Sequence, residues 1–230
     1  MMFNNAQHED LNCKGRSSCF NMLTNDEMEM LEQAKLIVRY KKNEVIAKQG
    51  ASNSDILFLK EGFVKFYKEY ANTRTLSLVE RKCNFIGLYG LFVETTMQYT
   101  LVALTDVIVC SFSKTLFEEL MHQNNSFAIE TIKKINTKTS DTFNNLFNSS
   151  SKHMHGRLAW ALLELSQNVF TENKLKVPLT RKDLAEFTNM SVMSVGRILR
   201  EFAEEKLIDL KKDSVKILKK DKLIVICRNG

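Results

Sequence analysis

The sequence predicts an α+β protein whose first part is built from short strands and whose last part is built from helices and a hairpin. Three observations support this prediction. Short β-like runs follow one another closely over residues 45–110, a helical pattern extends over residues 126–151, and two short helices with a tight turn lie within residues 179–208. Strands grouped before helices, rather than alternating with them, are typical of α+β folds.

The composition is that of a globular protein. The chain has 230 residues, of which 44% are apolar, enough for the cores of one medium domain or two small ones. It contains no apolar run long enough to span a membrane and no basic region followed by an apolar block at the N-terminus. We therefore expect a cytoplasmic protein that contacts no membrane. Its five cysteines, an odd number, are then free thiols or ligands rather than a disulfide framework.

The N-terminal part begins with a short amphipathic helix over residues 24–36, capped by Thr24, with Met28, Leu31, Ala34 and Leu36 on its apolar side. From Ile37 the hydrophobic period changes to that of strands. The strand-like runs are residues 45–46, 56–59, 63–67, 75–79, 99–103 and 107–110, and they are separated by Gly50, Gly62, Asn72 and Gly87. Strands of this length and spacing form a barrel or jelly roll.

Two helices are predicted next, over residues 115–125 and 126–151. Along one side of the longer helix, mainly apolar and small residues recur at alternating spacings of four and three. They are Ala128, Ile132, Ile135, Thr139, Thr142, Leu146 and Ser149, with Phe143 and Phe147 beside them. Large aliphatic residues are few, so the helix either packs on its own domain or pairs with a second copy. Residues 152–156 break the pattern and are predicted to be a hinge, with His153 and His155 in solvent.

The first of the two short helices is predicted to start at Thr180. Thr180 and Asp183 have the spacing of a capping box, and Leu184, Ala185 and Phe187 form the buried side. Residues 188–190 are the turn.

The second short helix is capped by Ser191. Its inner face, at three- to four-residue spacing, is Val195, Ile198, Leu199 and Phe202. Its remaining surface carries Val192, Met193, Ser194, Arg197 and Arg200. The N–H groups at the tip of such a helix suit a phosphate, and its arginines can form bidentate hydrogen bonds with guanine in the major groove. The pattern alone is also compatible with an ordinary amphipathic helix pair.

The charge distribution favours the DNA-binding interpretation. Residues 151–230 contain 16 Lys and Arg against 10 Asp and Glu, whereas residues 1–150 contain 17 of each kind. The whole positive excess therefore lies on the segment that holds the helix pair, as expected of a part that binds phosphates. The strand-like run 210–218, with a turn at Asp213 and Ser214, predicts a hairpin whose Lys211 and Lys212 lie beside the DNA backbone.

These residues resemble the winged helix–turn–helix of the Crp/Fnr family of bacterial transcription regulators. The resemblance is carried by Thr180-Arg181, Ser191, the run Val195-Gly196-Arg197-Ile198-Leu199, and Leu207-Ile208. It implies that Arg197 contacts a guanine. Other family members usually have a glutamate, which reads a cytosine, at the position of Met193. This chain has a methionine there, so its half-site should differ from the family's usual one.

The resemblance extends to the N-terminal part, where the strand order and Gly50, Gly62 and Gly87 are similar to the family's β-roll, a jelly-roll, cupin-like sensor domain. It implies a cysteine-containing tail over residues 1–22, a sensor domain over 23–125, a dimerisation helix and hinge over 126–152, and a winged helix–turn–helix domain over 153–230. The dimer interface then includes Ile132, Ile135, Thr139, Thr142, Phe143 and Leu146. RNA polymerase is implied as a further partner.

Cyclic AMP is not expected as the effector. Members that bind it place a phosphate cassette at the position of residues 85–99, with a carboxylate for the ribose hydroxyl and an arginine for the phosphate. This chain has Leu88 and Gln98 at the matching positions.

The cysteines near the N-terminus suggest an iron–sulfur cluster as the sensing group. Oxygen-sensing Fnr members hold an iron–sulfur cluster with three N-terminal cysteines and one in the β-roll, and Cys13, Cys19 and Cys110 match the last three positions while Asp10 takes the first. Alternatively, Cys110 is simply a buried strand residue and Cys13 and Cys19 are thiols of the tail. Cys83 could replace Asp10 as the fourth cluster ligand, and a haem and a thiol switch are further alternatives.

We therefore predict an effector-switched, homodimeric regulator that binds double-stranded DNA. A regulator switched by an organic ligand or haem, and a redox or metal-binding protein without a regulatory role, are the alternatives. No P-loop, nucleophile elbow or metalloprotease helix appears, so an enzyme is not expected.

Overall fold

The structure, a computed structural model, describes residues 17–71, 73–93, 96–166, 174–175, 179–211 and 214–230. Asp10, Cys13 and Lys212, three of the predicted site residues, lie outside the described residues. No described helix is both long and apolar enough to cross a membrane.

The N-terminal part is a β-roll of two four-stranded antiparallel sheets, in the orders β1-β8-β3-β6 and β2-β7-β4-β5. The strands are β1 (Leu36–Tyr40), β2 (Val45–Ala47), β3 (Asp55–Glu61), β4 (Phe63–Tyr70), β5 (Thr73–Arg81), β6 (Asn84–Ile86), β7 (Thr100–Ala103) and β8 (Val107–Ser113). Alternate residues of both sheets, such as Leu57, Val64 and Leu101, meet in one shared core. The predicted jelly roll is confirmed, but β1 and β6 were not predicted.

Two glycines are required where the chain turns. Gly62 has φ +86, and a Cβ there would lie 2.4 Å from the backbone oxygen of Asp106. Gly87 has φ +98 at the start of a short 3-10 turn, Leu88–Gly90. Positive φ and close backbone approach both exclude most side chains, so these positions fix the ends of β4 and β6.

Helices cover one side of the roll. They are α1 (Asn25–Ala34), α2 (Lys114–Gln123) and the long α3 (Asn125–Ser151), preceded by a 3-10 turn at Ser18–Met22. Thr24 forms a full capping box with Glu27, which fixes the start of α1. The prediction that Leu36 belongs to this helix was wrong, since Lys35 is already extended and Leu36 pairs with Ser111 in the sheet.

The C-terminal part is a winged helix–turn–helix, as predicted. It contains α4 (Met154–Glu164), β9 (Lys174–Leu175), α5 (Arg181–Thr188), α6 (Val192–Glu204), β10 (Ile208–Lys211), β11 (Ser214–Ile217) and α7 (Lys220–Asn229). The sheet order is β10-β11-β9, so a third short strand extends the hairpin. Helix α7, which the sequence did not indicate, packs on α4, where Gly230 lies directly against Gly156.

Candidate nucleic-acid interface and ligand cavity

The start and end of α5 are set by side chains that the sequence identified. The hydroxyl of Thr180 accepts a hydrogen bond from the Asp183 backbone N–H at 3.1 Å, and the Asp183 carboxylate accepts from the Thr180 backbone N–H at 2.9 Å. Asn189, with φ 52, ends the helix in the left-handed region, which asparagine tolerates better than most residues. Local hydrogen bonds and the backbone conformation of Asn189 therefore fix where α5 begins and where the chain turns toward the second helix of the pair.

Helix α6 presents the surface predicted to face DNA. Ser191 caps it by accepting from the Ser194 backbone N–H at 3.0 Å, and Val195, Ile198, Leu199 and Phe202 are all buried. The opposite side forms one shallow surface depression, lined by Arg181, Ser191, Val192, Met193, Ser194, Gly196, Arg197 and Arg200. Met193 is 85% exposed, so a large apolar side chain stands at the tip of this helix. The structure thus brings most of the predicted DNA-contacting residues together.

The two arginines of α6 differ in their contacts. Arg197 donates to the carboxylate of Glu201 at 2.5 Å, one turn further along the helix, while Nε of Arg200 donates to the Gly196 carbonyl at 3.2 Å. Glu201 also hydrogen-bonds with His155 at 2.7 Å. These bonds, from His155 first and Arg197 second, outweigh the effect of burial and lower the pKa of Glu201. Residues 152–156 were predicted to be a hinge with His155 in solvent, but His155 belongs to the first turn of α4 and ties α4 to α6, with its side chain 45% exposed.

The wing places Lys211, one of the predicted DNA-contacting residues, at the end of a strand. Lys211 ends β10 and is exposed, with the carboxylate of Asp209 3.9 Å away. A contact of this length is a weak ion pair, so the ammonium of Lys211 is available to a phosphate.

The β-roll contacts α5 through a group of side chains that we call the interdomain cluster: Lys65, Tyr67, Arg74, Asp183 and Glu186. Lys65 and the Tyr67 hydroxyl both donate to the same Asp183 oxygen, at 2.9 and 2.8 Å. Arg74 donates to Glu186 at 3.1 Å, and its guanidinium lies 3.9 Å from the centre of the Tyr67 ring. The Asp183 side chain is only 4% exposed, so this is a buried charge satisfied from both domains.

The pKa shifts follow from this arrangement. Burial disfavours the charged form of Asp183, but the Lys65 ammonium and the Thr180 backbone N–H outweigh it and lower the pKa of the carboxyl. The pKa of Tyr67 is raised, first by burial and then by the neighbouring Asp183 charge. At neutral pH the cluster therefore holds an ionised Asp183 and a protonated Tyr67.

The sequence did not identify the interdomain cluster. Its β-roll members and its α5 members are more than a hundred residues apart along the chain, with Lys65 and Asp183 separated by 118 positions. The one local signal is that Lys65 and Tyr67 alternate with the core residues Val64 and Phe66 on β4, which turns both side chains outward.

A second candidate site is a cavity of about 420 Å³ between the β-roll and α3, which we call the roll–helix cavity. It is lined by Phe66, Lys68, Leu78, Glu80, Phe85, Ile86, Gly87, Leu88, Tyr89, Gln98 and Tyr99 from the roll, and by Lys134, Ile135, Lys138, Thr139, Thr142, Phe143 and Leu146 from α3. The wall is mainly apolar. Five of the six residues predicted for the dimer interface, all but Ile132, also line this cavity.

The polar groups of the roll–helix cavity interrupt a wall that is mainly apolar. Glu80 is buried and is paired with Lys138, and it also accepts from the Asn84 amide at 2.7 Å. Burial, and to a lesser extent the nearby Tyr89, raises the pKa of Tyr99 to about 12, so its hydroxyl stays protonated. No arginine belongs to the described lining, which contains Leu88 and Gln98 where a cyclic-nucleotide site needs its carboxylate and arginine.

The cysteines predicted as cluster ligands are only partly described. Cys19 and Cys110 are both fully buried, and both belong to one hydrophobic cluster with Phe20, Phe58 and Phe112, while Cys83 packs against the same cluster. Among the described residues no three potential ligands come together around a metal position. The described residues therefore do not fit an iron–sulfur cluster by themselves.

Two family models match this chain in succession. The model described as a cyclic nucleotide-binding domain matches residues 37–124, and the Crp-like helix-turn-helix domain matches residues 156–226. The transcriptional activator protein FnrA of Stutzerimonas stutzeri is 21% identical over 183 residues, which are 77% of this chain and 75% of FnrA.

Solved structures show the same fold. FixK2 of Bradyrhizobium japonicum aligns with a TM-score of 0.77 at 15% identity and covers 84% of this chain and 96% of FixK2. A CRP/FNR-family transcriptional regulator of Thermus thermophilus aligns with a TM-score of 0.69 at 20% identity, over 84% of this chain and 98% of that one.

Proposed function

The chain belongs to the Crp/Fnr family of DNA-binding transcription regulators, and from this premise we propose that it is an effector-switched homodimer that reads a two-fold symmetric DNA site. The observation that carries the proposal is the exposed face of α6, where a capped helix tip and two arginines share one surface depression with Arg181. The family consists of transcription regulators rather than enzymes.

We assign a role to each part of the DNA-contacting surface. The tip of α6, with Ser191 and Ser194, meets a phosphate, while Arg197 turns from Glu201 to a guanine. Arg181, Arg200 and the wing residue Lys211 lie against the backbone, together with Thr180 and Lys212 as predicted from sequence. Val192 and Met193 offer apolar contact to a thymine methyl, so the base read at that position differs from the one a glutamate reads.

The homodimer is proposed from the exposed apolar residues of α3. Ile129, Ile132, Phe143, Leu146 and Phe147 are each at least half exposed. A second copy of α3 would remove them from water, and would place two α6 helices on one face of a duplex. RNA polymerase is proposed as a further partner on family membership alone.

We propose that the effector occupies the roll–helix cavity and is not cyclic AMP. The cavity carries neither an arginine for a cyclic phosphate nor a carboxylate available for a ribose, because Glu80 is already paired with Lys138 and Asn84. The interdomain cluster is the proposed route to DNA, since it joins β4 and β5, which line the cavity, to α5, which packs on α6.

Fluorescence anisotropy with labelled duplex DNA at several salt concentrations tests the DNA-binding role. Affinity should fall steeply with salt, since lysines and arginines displace counterions from phosphates. Arg200→Ala should weaken binding and reduce the salt slope by about 1. Lys82→Ala, which removes an exposed cation of the β-roll, is the matched control and should leave both unchanged. Binding that ignores salt, or that responds equally to both variants, would contradict the proposed surface.

Oxygen or redox sensing is a second candidate function. It is favoured by the membership of Cys19 and Cys110 in one side-chain cluster, which brings the end of the N-terminal tail to the β-roll strand that carries Cys110. Iron and sulfide assays on anaerobically purified protein test it. Protein without iron, together with a Cys19→Ala variant that binds DNA as the parent does, would exclude it.

A further inference from the structure

The roll–helix cavity has more positive than negative charge on a mainly apolar wall. Its lining includes Lys68, Lys134 and Lys138, but Glu80 is the one carboxylate among the described lining residues. Glu80 and Lys138 neutralise each other. This leaves two lysines without a carboxylate partner among the described residues.

Lys134 is the more informative of these two lysines. It lines the cavity from α3 and is half-buried, whereas Lys68 is exposed. An anionic group of a ligand that reaches Lys134 would form a charge-assisted hydrogen bond and an ion pair with its ammonium, while a neutral or cationic group would lack the ion pair.

The remainder of the wall defines the body of the ligand. Phe66, Leu78, Phe85 and Ile135 surround a space of about 420 Å³, within the range of small-molecule sites. The protonated hydroxyl of Tyr99 is a hydrogen-bond donor at this wall. These surroundings favour an apolar or aromatic body over a sugar, because most of the wall is apolar.

We propose that the roll–helix cavity binds an amphipathic organic monoanion, an aromatic or aliphatic body with one carboxylate head placed at Lys134. This inference rests on the proposed function, because it names the class of the effector. The same ligand touches Thr139, Thr142 and Phe143, so its binding bears directly on the helix that is proposed to form the dimer.

The test uses the full chain and three probes that share one ring system: naphthoate, naphthalenemethanol and naphthylmethylammonium. Naphthoate should bind at least about tenfold more tightly than the alcohol, because a charge-assisted hydrogen bond is added, and the ammonium should bind most weakly. Equal affinity for the three probes, or displacement of naphthoate by cyclic AMP, would overturn the proposal.

Two variants locate the head group. Lys134→Met keeps the length of the side chain but removes its charge, and should reduce naphthoate affinity to that of the alcohol. Lys133→Met is the matched control, since Lys133 is the neighbouring lysine, 69% exposed and near Glu130, outside the cavity lining. A naphthoate affinity that Lys134→Met leaves unchanged would overturn the placement.

A third variant tests the cavity itself. Thr139→Phe fills the space and should reduce binding of all three probes, while the circular dichroism spectrum reports whether the variant is folded. Probe binding is measured without DNA, and DNA affinity is measured separately on the same preparations. If the preparations bind the probes but not DNA, the proposed DNA-binding function is contradicted. If a folded Thr139→Phe variant binds all three probes like the parent, the proposed ligand site in the roll–helix cavity is contradicted.

Discussion

Asp183 belongs both to the capping box of α5 and to the interdomain cluster. One carboxylate oxygen completes the capping box of α5 with Thr180, and the other accepts hydrogen bonds from Lys65 and Tyr67 of the β-roll. The start of the first DNA-binding helix is therefore fixed by the same side chain that joins the two domains. A change in the position of β4 would therefore act on α5 through Asp183.

Asp183→Asn should destabilise the protein at neutral pH by about 1.5–3 kcal/mol, the usual value of hydrogen bonds to a charged group. The pKa of Asp183 is lowered in the folded protein, so its contribution is complete above the unfolded value near 3.8 and is lost as pH falls through the folded pKa. Urea unfolding from pH 7 to pH 3 should show a constant difference between parent and variant above about pH 5, which shrinks below about pH 4.

Asp106→Asn is the control for this titration. Asp106 is paired with Lys41, but both side chains are largely exposed, so little stability should be lost. A difference between parent and Asp183→Asn that grew at low pH would contradict the assigned ionisation of Asp183. The Asp183→Asn variant should also show an altered DNA affinity if the interdomain cluster transmits the signal.

Met193 is the residue most informative about base recognition. Met193→Glu should shift the preferred site toward a cytosine at the contacted position, because a carboxylate accepts a hydrogen bond from the cytosine amino group. Arg197→Ala should cost about 1–3 kcal/mol and relax the preference at one base pair. Sequencing of selected DNA sites measures both effects. An unchanged site for Met193→Glu would show that α6 does not lie in the major groove as proposed.

At the scale of elements, sequence reasoning succeeded where local chemistry decides the structure. The caps at Thr180 and Ser191 and the buried spacing of Val195 to Phe202 were sufficient to predict α5 and α6. Strand β1 was missed because it follows α1 without a turn, and β6 because its residues lie at the start of the segment compared with the phosphate cassette. Helix α7 was missed because it follows the wing closely and no side-chain cap marks its start.

Helix α3 packs on the β-roll with one side and carries exposed apolar residues on another. Its Ile135 and Thr139 line the roll–helix cavity, while Ile132 is outside that lining and half exposed. The interpretation that the helix packs on its own domain therefore holds for one side. Another side carries exposed apolar residues, and its pairing with a second copy stays a prediction. The cavity and the interdomain cluster were beyond sequence reasoning, since both join residues that are distant along the chain.

Ile132→Asp should dissociate the proposed dimer, because a carboxylate would be buried in an apolar seam without a partner. Sedimentation equilibrium should find the parent at twice the chain mass and the variant at the chain mass. Thr137→Asp adds the same charge on another side of α3, at an exposed position, and should leave the dimer intact. A dimer that tolerates Ile132→Asp would place the seam elsewhere.

At the scale of the whole molecule, the two domains share one hydrophobic cluster. Tyr67, Leu76 and Leu104 of the β-roll pack with Leu184 and Phe187 of the DNA-binding domain. The domains are therefore packed together through apolar side chains as well as through the charges of the interdomain cluster. Under the proposed function, an effector that moves β4 or β5 would alter this packing, and with it the position of α6 relative to its copy in the proposed dimer.

Selection of binding sites from a random duplex library by the full-length chain tests the central claim most directly. Two copies of α6 related by a two-fold axis should select two inverted half-sites whose centres are about one helical turn apart. A library enriched in that symmetric pair is the predicted result. Enrichment of a single asymmetric half-site bound by one chain, or no enrichment above the starting library, would contradict the account.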